Sequence, residues 1–376
     1  MLHAKTAFLE EFLLGGLCWK GENFLKHNFL RPGNIVLAGV ILSALLCGCS
    51  LRPQLTEADG SLFAMNTYMT FTVYGENAQA ALEEAEAVVL NAESLWSVTD
   101  EGSEIYQVNH SQGRTVTVSP QTADLISFAL EMAQKTDGAL EPTIYPVLTA
   151  WGFTMDSKQV PSSQEIEELL GRVGYDRILL EGEELTVPEG MCLDMGAVAK
   201  GYTADLVAEA LNRHGVESAV ISLGGNVQAI GARPDGSSWR IGIRAPWEEG
   251  TLGVLEVTDA AVVTSGGYEN YFTDDEGNIY WHILDPATGY PAESGLQSVT
   301  IIGTRGRMCD ALSTALFVMG PEKAEEYWRK NGGFEMLLVT DENEILLTEG
   351  IASSFTLNQG RTETVRVLSG QADEGR

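Results

Sequence analysis

Apolar residues recur at helical spacing in several segments of the chain. Between Ala78 and Leu95, alanine and leucine positions are separated by three or four residues, and glutamates fill many of the positions between them. Comparable segments run from Pro120 to Thr136 and from Ser162 to Leu170, where Ser162 and Glu165 have the spacing of a capping box. The pattern therefore predicts an amphipathic helix over each of these three segments.

Other segments have the alternating or continuously apolar pattern of short strands. They are rich in β-branched and aromatic residues, and turns containing glycine, asparagine or proline separate them. Helical and strand segments are interspersed, and several strand segments follow one another directly, so we predict an α+β fold with largely antiparallel sheets and packed helices. The predicted strands are Phe63–Tyr74, Thr115–Val118, the hairpin Arg177–Val187, Ala219–Leu223, Trp239–Ile243, Ala260–Ser265, Ile279–Leu284, Ser298–Ile302, Glu335–Val339 and Ile345–Thr348.

Polar or proline-containing segments separate these elements. Trp96 to Asn109 is predicted to be an acidic turn region, and Asp137 to Thr143 an ordered loop, because Pro142 prevents a regular helix there. Residues 359–376 are predicted to form a loose polar tail. The folded domain is therefore expected to span residues 62–358.

Composition and charge limit the classes of function. The chain has 376 residues, 44% of them hydrophobic, and a formal net charge of -30. The composition excludes a disordered chain and a polytopic membrane protein, and the acidity argues against a nucleic-acid surface. An acidic protein also repels polyphosphates, so a nucleotide site would need a metal ion or well-placed Lys and His groups.

The N-terminal region resembles a bacterial lipoprotein signal. Lys26 and Arg31 precede the weakly polar to apolar run Asn34–Leu46, which is too short for a comfortable membrane span but has the length of a signal-peptide core. Cys49 is the predicted lipidated residue; Cys47 is a poorer candidate because the bulky Leu46 precedes it directly. A plain signal anchor is the alternative.

The predicted processing site divides the chain. Residues 1–48 are predicted to be an N-terminal extension and lipoprotein signal peptide, and residues 49–61 a polar tether. The mature protein is therefore expected to be exported and held at the extracytoplasmic face of the membrane by lipid, including palmitate. Only Cys192 and Cys309 remain besides the anchor, and both lie in apolar surroundings, so they are predicted to be buried free thiols.

The stretch Leu193–Gly201 has the composition of an anion site at a helix start. Asp194, Gly196 and Lys200 stand just before an amphipathic run, and unpaired N–H groups at a helix N-terminus bind phosphate. Lys200 would neutralise a phosphate oxygen, and Asp194 would orient a hydroxyl, an amine or a metal-bound water. The alternative is that Asp194 and Gly196 are ordinary capping residues.

A second acidic pattern lies in the helix predicted to end near Met319. Asp310 and Thr314 are four residues apart, so both oxygens face one side of that helix. Together with a backbone carbonyl near Ala197 they would suit Mg²⁺, which takes few protein ligands. N-capping by Asp310 alone is the competing interpretation.

Taken together, nine segments in this order make the chain similar to the ApbE family of flavin transferases. The similarity extends from Met65 to about Val339. The segments that carry it are Met65-Asn66-Thr67, Ser103-Glu104 with Asn109, Gly138–Thr143, Trp151-Gly152-Phe153, Leu193–Gly201, Leu223–Asn226, Thr264–Gly266, His282–Pro286 with Thr288–Pro291, and Asp310–Thr314.

The resemblance implies a T-fold-like α+β domain that binds FAD with Mg²⁺ and transfers FMN to a Thr or Ser hydroxyl of a target protein, releasing AMP. The implied target is a membrane redox subunit on the same side of the membrane. Glu141 stands where the family usually has Asp, and Trp96 where Tyr is common. The implied Mg²⁺ ligands are Ala197, Asp310 and Thr314. The implied FAD contacts are Met65, Trp96, Ala139, Leu140, Glu141, Asp194, Lys200, His282 and Ile283.

The chemistry requires a base for the attacking hydroxyl. His282 is the first candidate, with Asp285 or Asp194 as its orienting partner, and the alternative is a structural or flavin-packing histidine. The nearby Tyr and Trp residues are expected to be core more often than stacking groups. Two other functions stay open: an FAD pyrophosphatase that yields FMN and AMP, and an exported flavin-binding lipoprotein without turnover.

Overall fold

Residues 55–155 and 157–370 are described by the computed structural model of the chain. The predicted signal peptide, its lipidated Cys49 and the end of the predicted tail lie outside these residues. Within the described segments, no helix combines the length and the apolar character that a membrane crossing requires.

Eight α-helices and seventeen strands occur in the described segments. The helices are α1 (Ala78–Trp96), α2 (Glu104–Asn109), α3 (Pro120–Lys135), α4 (Tyr145–Ala150), α5 (Ser163–Leu170), α6 (Ala199–Arg213), α7 (Gly306–Met319) and α8 (Pro321–Asn331). The strands are β1 (Thr56–Ala64), β2 (Thr67–Gly75), β3 (Val116–Thr117), β4 (Leu179–Glu181), β5 (Glu184–Thr186), β6 (Ser218–Leu223), β7 (Asn226–Ile230), β8 (Trp239–Arg244), β9 (Thr251–Val257), β10 (Ala261–Gly266), β11 (Tyr271–Thr273), β12 (Ile279–Trp281), β13 (Leu296–Gly303), β14 (Glu335–Thr340), β15 (Glu344–Thr348), β16 (Phe355–Leu357) and β17 (Thr364–Leu368).

A nine-stranded sheet in the order β1-β2-β6-β7-β10-β13-β14-β15-β17 organises the domain. Its neighbouring strands are antiparallel, apart from the parallel pair β15 and β17. Three smaller sheets accompany it, β11-β12, β16-β9-β8 and β3-β5-β4, and their pairs are antiparallel. The predicted α+β class with largely antiparallel sheets is thereby confirmed.

Alternating side chains give the large sheet two buried faces. In β10, Ala261 and Val263 point into the core shared with α7, whereas Val262 joins a separate core with residues of β8 and β9. The neighbouring helices α1, α6 and α7 cover the first face, and the sheet β16-β9-β8 covers the second. The strand pattern of period two thus produces a three-layer domain.

Most predicted elements are confirmed close to their expected ends. Helix α3 matches its predicted segment, and the side chain of Ser162 caps α5 by accepting a hydrogen bond from the Glu165 N–H at 3.2 Å. The predicted hairpin after Arg177 forms as β4 and β5.

Two predictions of local structure were wrong. Phe63–Tyr74 is two strands, because Met65 and Asn66 adopt left-handed conformations with φ of 48° and 58° and close a two-residue turn. The predicted turn region Trp96–Asn109 contains helix α2, whose N-terminus is capped by Ser103.

The predicted ends of the domain were also wrong. Residues 56–61 belong to strand β1 rather than to a tether, and Thr364–Leu368 forms β17 rather than a loose tail. Both are edge strands of the nine-stranded sheet. Strand β1 begins with the mostly polar residues 56–61, which conceal the alternation that a strand prediction needs.

Two glycines bring helices α6 and α7 into backbone contact. A Cβ atom on Gly201 would lie 2.3 Å from the Gly306 carbonyl oxygen and 2.5 Å from the Asp310 Cβ atom. Asp205 of α6 caps α7, because its Oδ1 accepts a hydrogen bond from the Gly306 N–H at 2.6 Å. This crossing fixes the start of α6 beside Asp310.

Candidate active-site cleft

A cleft of about 1750 Å³ opens between the start of α6, the β1–β2 turn and the segment that follows β12. All predicted flavin-binding and metal-binding residues line it, whereas Asp285 does not. The predicted residues in the cleft are Met65, Trp96, Ala139, Leu140, Glu141, Asp194, Ala197, Lys200, His282, Ile283, Asp310 and Thr314.

The stretch before α6 is held by backbone contacts. The Asn109 side-chain amide donates to the Leu193 carbonyl at 2.9 Å, and its Oδ1 accepts from the Leu193 N–H at 2.7 Å. The Asp194 N–H donates to the Pro142 carbonyl at 2.8 Å. These three contacts join α2, the 138–143 loop and the Asp194 segment into one wall of the cleft.

Asp194 lies at this wall, partly exposed to the cleft. Its Oδ1 accepts a hydrogen bond from the Gly196 N–H at 2.6 Å. Desolvation raises the pKa of Asp194, while that hydrogen bond and the charge of Lys200 act in the opposite direction. The carboxylate therefore has both a local capping contact and access to a ligand.

The predicted phosphate cradle at the start of α6 is smaller than expected. The helix begins at Ala199, whose N–H donates to the Met195 carbonyl at 2.7 Å, and the Gly201 N–H is bonded to Asp310. Two first-turn donors are thus already paired, and Lys200 is left as the main positive group of this segment. Its Nζ lies 3.3 Å from the Gly196 carbonyl oxygen.

Asp310 is brought to this wall by the α6–α7 crossing. It is 3% exposed, and its Oδ2 accepts from the Gly201 N–H at 2.8 Å. Desolvation raises the pKa of Asp310, and the charge of Lys200 and the Gly201 hydrogen bond oppose the shift. Thr314 lies one turn later on α7, with its hydroxyl 3.3 Å from the Ser265 hydroxyl.

The same contact frees a backbone acceptor. The Gly201 N–H would close the first turn on the Ala197 carbonyl, but it donates to Asp310 instead, and Ala197 O receives no hydrogen bond from the described residues. A buried carboxylate, a hydroxyl and a free carbonyl therefore lie together at the cleft. This oxygen set fits a hard cation that keeps several waters or phosphate ligands, such as Mg²⁺.

The site is not a cluster of classical metal-binding side chains. In residues 55–155 and 157–370, no group of three or more His, Cys, Asp or Glu side chains is arranged to hold a metal. An ion at Asp310 would thus need non-protein ligands to complete its coordination.

His282 directly follows strand β12 and lines the cleft opposite this wall. Its Nδ1 lies 3.2 Å from the Asn270 carbonyl oxygen, and its backbone N–H donates to the same oxygen at 3.0 Å. Burial lowers the pKa of His282 to about 4, with further lowering by Lys200 and Lys158. The imidazole is therefore neutral at pH 7, and a proton on Nδ1 directed at Asn270 leaves Nε2 as the acceptor.

The prediction that Asp285 orients His282 was wrong. Its Oδ1 accepts from the Ala287 N–H at 2.9 Å, which closes the turn after Leu284, and Asp285 borders a second cavity of about 610 Å³. Asp194 is not bonded to His282 either, and its carboxylate accepts a hydrogen bond from the Gly196 N–H. The Asn270 backbone carbonyl has the orienting position instead.

Glu141 has protein partners for both carboxylate oxygens. Oε1 accepts from the Thr143 N–H at 2.9 Å and from the Thr143 hydroxyl at 2.6 Å, and Oε2 accepts from the Tyr175 N–H at 3.1 Å. Burial raises the pKa of Glu141, and these hydrogen bonds oppose the rise. The longer side chain thus ties its own loop together, and a contact to FAD stays a prediction.

Met65 and Trp96 border the cleft in different ways. The Met65 N–H donates to Glu93 Oε1 at 2.7 Å, which fixes the β1–β2 turn. Trp96 is only 4% exposed, packs edge-on against Tyr202, and donates from Nε1 to the Thr122 hydroxyl at 3.0 Å. The Trp96 ring is therefore mainly a core residue with little face left for stacking on a ligand.

The aromatic residues near His282 divide between core and surface. Tyr268 is buried, and the partly buried Tyr280 packs on Trp151 and Phe272. Tyr271 is 44% exposed and contacts the exposed Trp247. The core interpretation thus holds for Tyr268, in part for Tyr280, and not for Tyr271.

Three residues that shape the site had no role predicted from their sequence. Asn109 belongs to one of the segments that carry the family resemblance, so the sequence pointed to this residue. It did not reveal the hydrogen bonds between Asn109 and Leu193. Asn270 acts through its main-chain carbonyl, which no side-chain pattern reveals. Lys158 lies in an irregular loop, and its contacts with Asn270 and Tyr271 depend on folding.

Comparison with known proteins identifies relatives across most of the domain. The model of the ApbE family matches residues 65–338. The FAD:protein FMN transferase of Treponema pallidum (strain Nichols) is 32% identical over 347 residues, which cover 85% of this chain and 96% of the relative. That of Klebsiella pneumoniae (strain 342) is 36% identical over 262 residues, covering 68% and 81% of the two chains.

Solved structures agree with these relatives. The crystal structure of the ApbE protein of Thermotoga maritima superposes with a TM-score of 0.75 at 34% identity, covering 80% of this chain and 99% of that one. The apo flavinyl transferase ApbE of Pseudomonas stutzeri gives a TM-score of 0.69 at 30% identity, with coverages of 76% and 92%.

Proposed function

The chain belongs to the ApbE family, and from this premise we propose that it transfers FMN from FAD to a Thr or Ser hydroxyl of an acceptor protein and releases AMP. Relatives with this enzyme name cover most of the chain. The observation that carries the proposal is the 2.8 Å bond from the Gly201 N–H to Asp310, because it places Asp310, Ala197 and Lys200 in the cleft that His282 also lines.

We assign the Mg²⁺ site to Asp310, Thr314 and the Ala197 carbonyl. The free Ala197 oxygen beside a buried carboxylate supports this assignment. When bound, Mg²⁺ would supply positive charge to the diphosphate of FAD.

Lys200 and Asp194 have complementary tasks at the same wall. The ammonium of Lys200 neutralises negative charge that develops on the diphosphate oxygens during transfer. Asp194, which is accessible from the cleft and fixed by Gly196, orients a polar group of the substrate. The high net acidity of the chain makes this single lysine more important for binding a polyphosphate.

His282 accepts the proton of the attacking hydroxyl at Nε2. The hydroxyl oxygen forms a bond to the FMN-side phosphorus, and the bond from that phosphorus to the AMP oxygen breaks. AMP leaves as a phosphate whose second pKa is about 6, so its departure needs no general acid. Because His282 is neutral at pH 7, it is ready to accept the proton without prior deprotonation.

An acceptor assay tests this function. The protein is incubated with FAD, Mg²⁺ and an acceptor carrying one reactive Thr, and the acceptor mass and released AMP are measured. We expect a covalent flavin adduct and one AMP per adduct, and no adduct when that Thr is replaced by Ala. Free FMN with AMP would instead establish the pyrophosphatase, and bound FAD without products would establish a binding protein.

We further propose that the protein is exported and lipid-anchored through Cys49, and that its acceptor is a membrane redox subunit on the same side. The lipobox-like sequence Leu46–Cys49 supports the anchor. Palmitate labelling of cells tests it: the Cys49→Ala protein should take up no label, whereas Cys47→Ala should be labelled like the unaltered protein. Unchanged labelling of the Cys49→Ala protein would contradict the anchor.

A further inference from the structure

The position of His282 depends on the register of a small hairpin. Tyr271 of β11 pairs with Trp281 of β12, and the ladder continues by one step, because the His282 N–H donates to the Asn270 carbonyl at 3.0 Å. The same carbonyl lies 3.2 Å from His282 Nδ1. One main-chain oxygen therefore fixes both the backbone and the imidazole of His282.

Lys158 holds the peptide unit that carries this oxygen. Its Nζ donates to Asn270 Oδ1 at 2.6 Å and to the Tyr271 carbonyl at 3.0 Å. These two acceptors flank the Asn270–Tyr271 peptide, so the ammonium restrains its rotation from both sides. The ammonium also lies over Phe153, since Nζ is 5.6 Å from the centre of that ring. The Phe153 ring in turn packs against the His282 ring, with centroids 6.5 Å apart and an interplanar angle of 64°.

From this geometry we propose that Lys158 is a positioning residue for FMN transfer, which keeps the Asn270 carbonyl aimed at His282 Nδ1 and thereby leaves Nε2 free to receive the hydroxyl proton. The catalytic part of this inference rests on the proposed function. In other proteins, an oxygen that accepts the proton of one ring nitrogen fixes the histidine tautomer in this way.

The charges of the two lysines near His282 act in the same sense as these contacts. Lys200 from α6 and Lys158 from residues 157–160 both disfavour its protonated form. The carboxylates of Asp194, Glu269 and Asp310 line the same cleft. Loss of the Lys158 charge should therefore make His282 easier to protonate, in addition to loosening its orientation.

The first test observes the tautomer in the free protein. Long-range ¹H–¹⁵N correlation spectra report which imidazole nitrogen carries the proton, and the His282→Gln protein assigns the signal. We expect the Nδ1–H tautomer in the unaltered protein and in Lys158→Arg, which can still donate to both oxygens. In Lys158→Met we expect a mixture of tautomers and protonation at higher pH. Lys330→Met, the same change on an exposed lysine of α8, should leave the spectrum unchanged.

The second test measures transfer as a function of pH. For Lys158→Met we expect kcat to fall by about tenfold and the KM for FAD to change by less than about twofold. The decline of kcat at acidic pH, called the acid limb below, should move toward neutral pH. Lys158→Arg should restore most of kcat. An unchanged tautomer and acid limb in Lys158→Met would overturn the proposal. Because the spectra need no turnover, a protein without transferase activity would refute the proposed function without deciding the role of Lys158.

Discussion

The two walls of the cleft are held by different amounts of structure. The helix wall, Asp194–Gly201 with the facing part of α7, is joined by backbone contact at Gly201 and Gly306 and by the buried Asp310. The hairpin wall, Asn270–His282 with residues 157–160, consists of a two-stranded sheet of three-residue strands and the exposed Lys158. It packs on Trp151 through Phe272 and Tyr280. One wall is joined through the backbones of two helices, and the other through a short hairpin and side-chain contacts.

This difference matches the two substrates of the proposed reaction. A dinucleotide diphosphate has the same shape in every turnover, so a rigid wall with preorganised charge suits it. An acceptor protein must bring its own backbone to the site, and an exposed wall leaves room for that approach. The proposed base then belongs on the more exposed wall, where it would meet the acceptor hydroxyl.

The largest effect should come from the charge of the helix wall. Asp310→Asn keeps the size of the side chain and an acceptor for the Gly201 N–H, but removes the carboxylate charge. We expect transfer to fall by about 10²–10³-fold. Without added metal, the free energy of unfolding should stay the same or rise, because a buried charge has been removed. Full activity, or clear destabilisation, would show that Asp310 has only a structural role.

A change in packing tests the rigidity of the same wall. Gly201→Ala places a methyl group against the Gly306 carbonyl and Asp310, and we expect a loss of about 2–3 kcal/mol in the free energy of unfolding by denaturant titration. Gly75→Ala is the matched control, because its methyl group would meet Val216 at an ordinary 3.6 Å. Equal stability of the two variants would contradict the close crossing of α6 and α7.

His282 of the hairpin wall should determine how the transfer rate declines at acidic pH. Because the pKa of His282 is lowered to about 4, transfer should be independent of this group near pH 7 and fall by about tenfold per pH unit below pH 4. The depressed pKa also means that protonation opposes folding, so stability should decline as pH falls from about 6.5 to about 4. His282→Gln should remove this part of the pH dependence of unfolding; its persistence would place the titrating group elsewhere.

The smallest expected effect is a change in amide exchange confined to the β11–β12 hairpin. Asp274 closes the β11–β12 turn by accepting hydrogen bonds from the Glu276 and Asn278 N–H groups, each at 2.9 Å. In Asp274→Ala, amide exchange should accelerate in Tyr271–Thr273 while β13 stays protected. Asp235→Ala, which removes a similar turn contact with Ser237, should leave the hairpin unchanged. Acceleration in both β11 and β13 would mean that the hairpin wall is not an independent unit.

The sequence was most informative where one periodicity dominates. Helix α3 and the cap at Ser162 could be predicted because local propensity and burial agree there. Helix α8 was missed because only Ala324 and Trp328 of its residues are buried, so its apolar stripe is too thin to recognise. Strand β1 was missed for the related reason that its polar side chains face solvent at a sheet edge.

For the site, prediction from the sequence was limited in a different way. Asp194, Lys200 and Asp310 could be proposed as site residues because the residue type alone indicates the chemistry of a side chain. The orienting group of His282 could not, since any residue can supply a main-chain carbonyl. Asp285 was chosen because it is an acid near His282 in sequence, yet the turn after Leu284 uses its carboxylate locally. Sequence proximity thus misassigned a task that the hairpin register performs.

The size of the cleft has a kinetic consequence. At about 1750 Å³ it exceeds the roughly 300–1,000 Å³ of a typical single-ligand pocket, so donor and acceptor have room to be bound at once. Such a ternary complex permits direct displacement without a covalent enzyme intermediate. Double-reciprocal plots of the initial rate, taken at several acceptor concentrations, should then intersect rather than run parallel. If the transferred phosphorus of the donor is made chiral by labelling, the product should have the inverted configuration at that phosphorus.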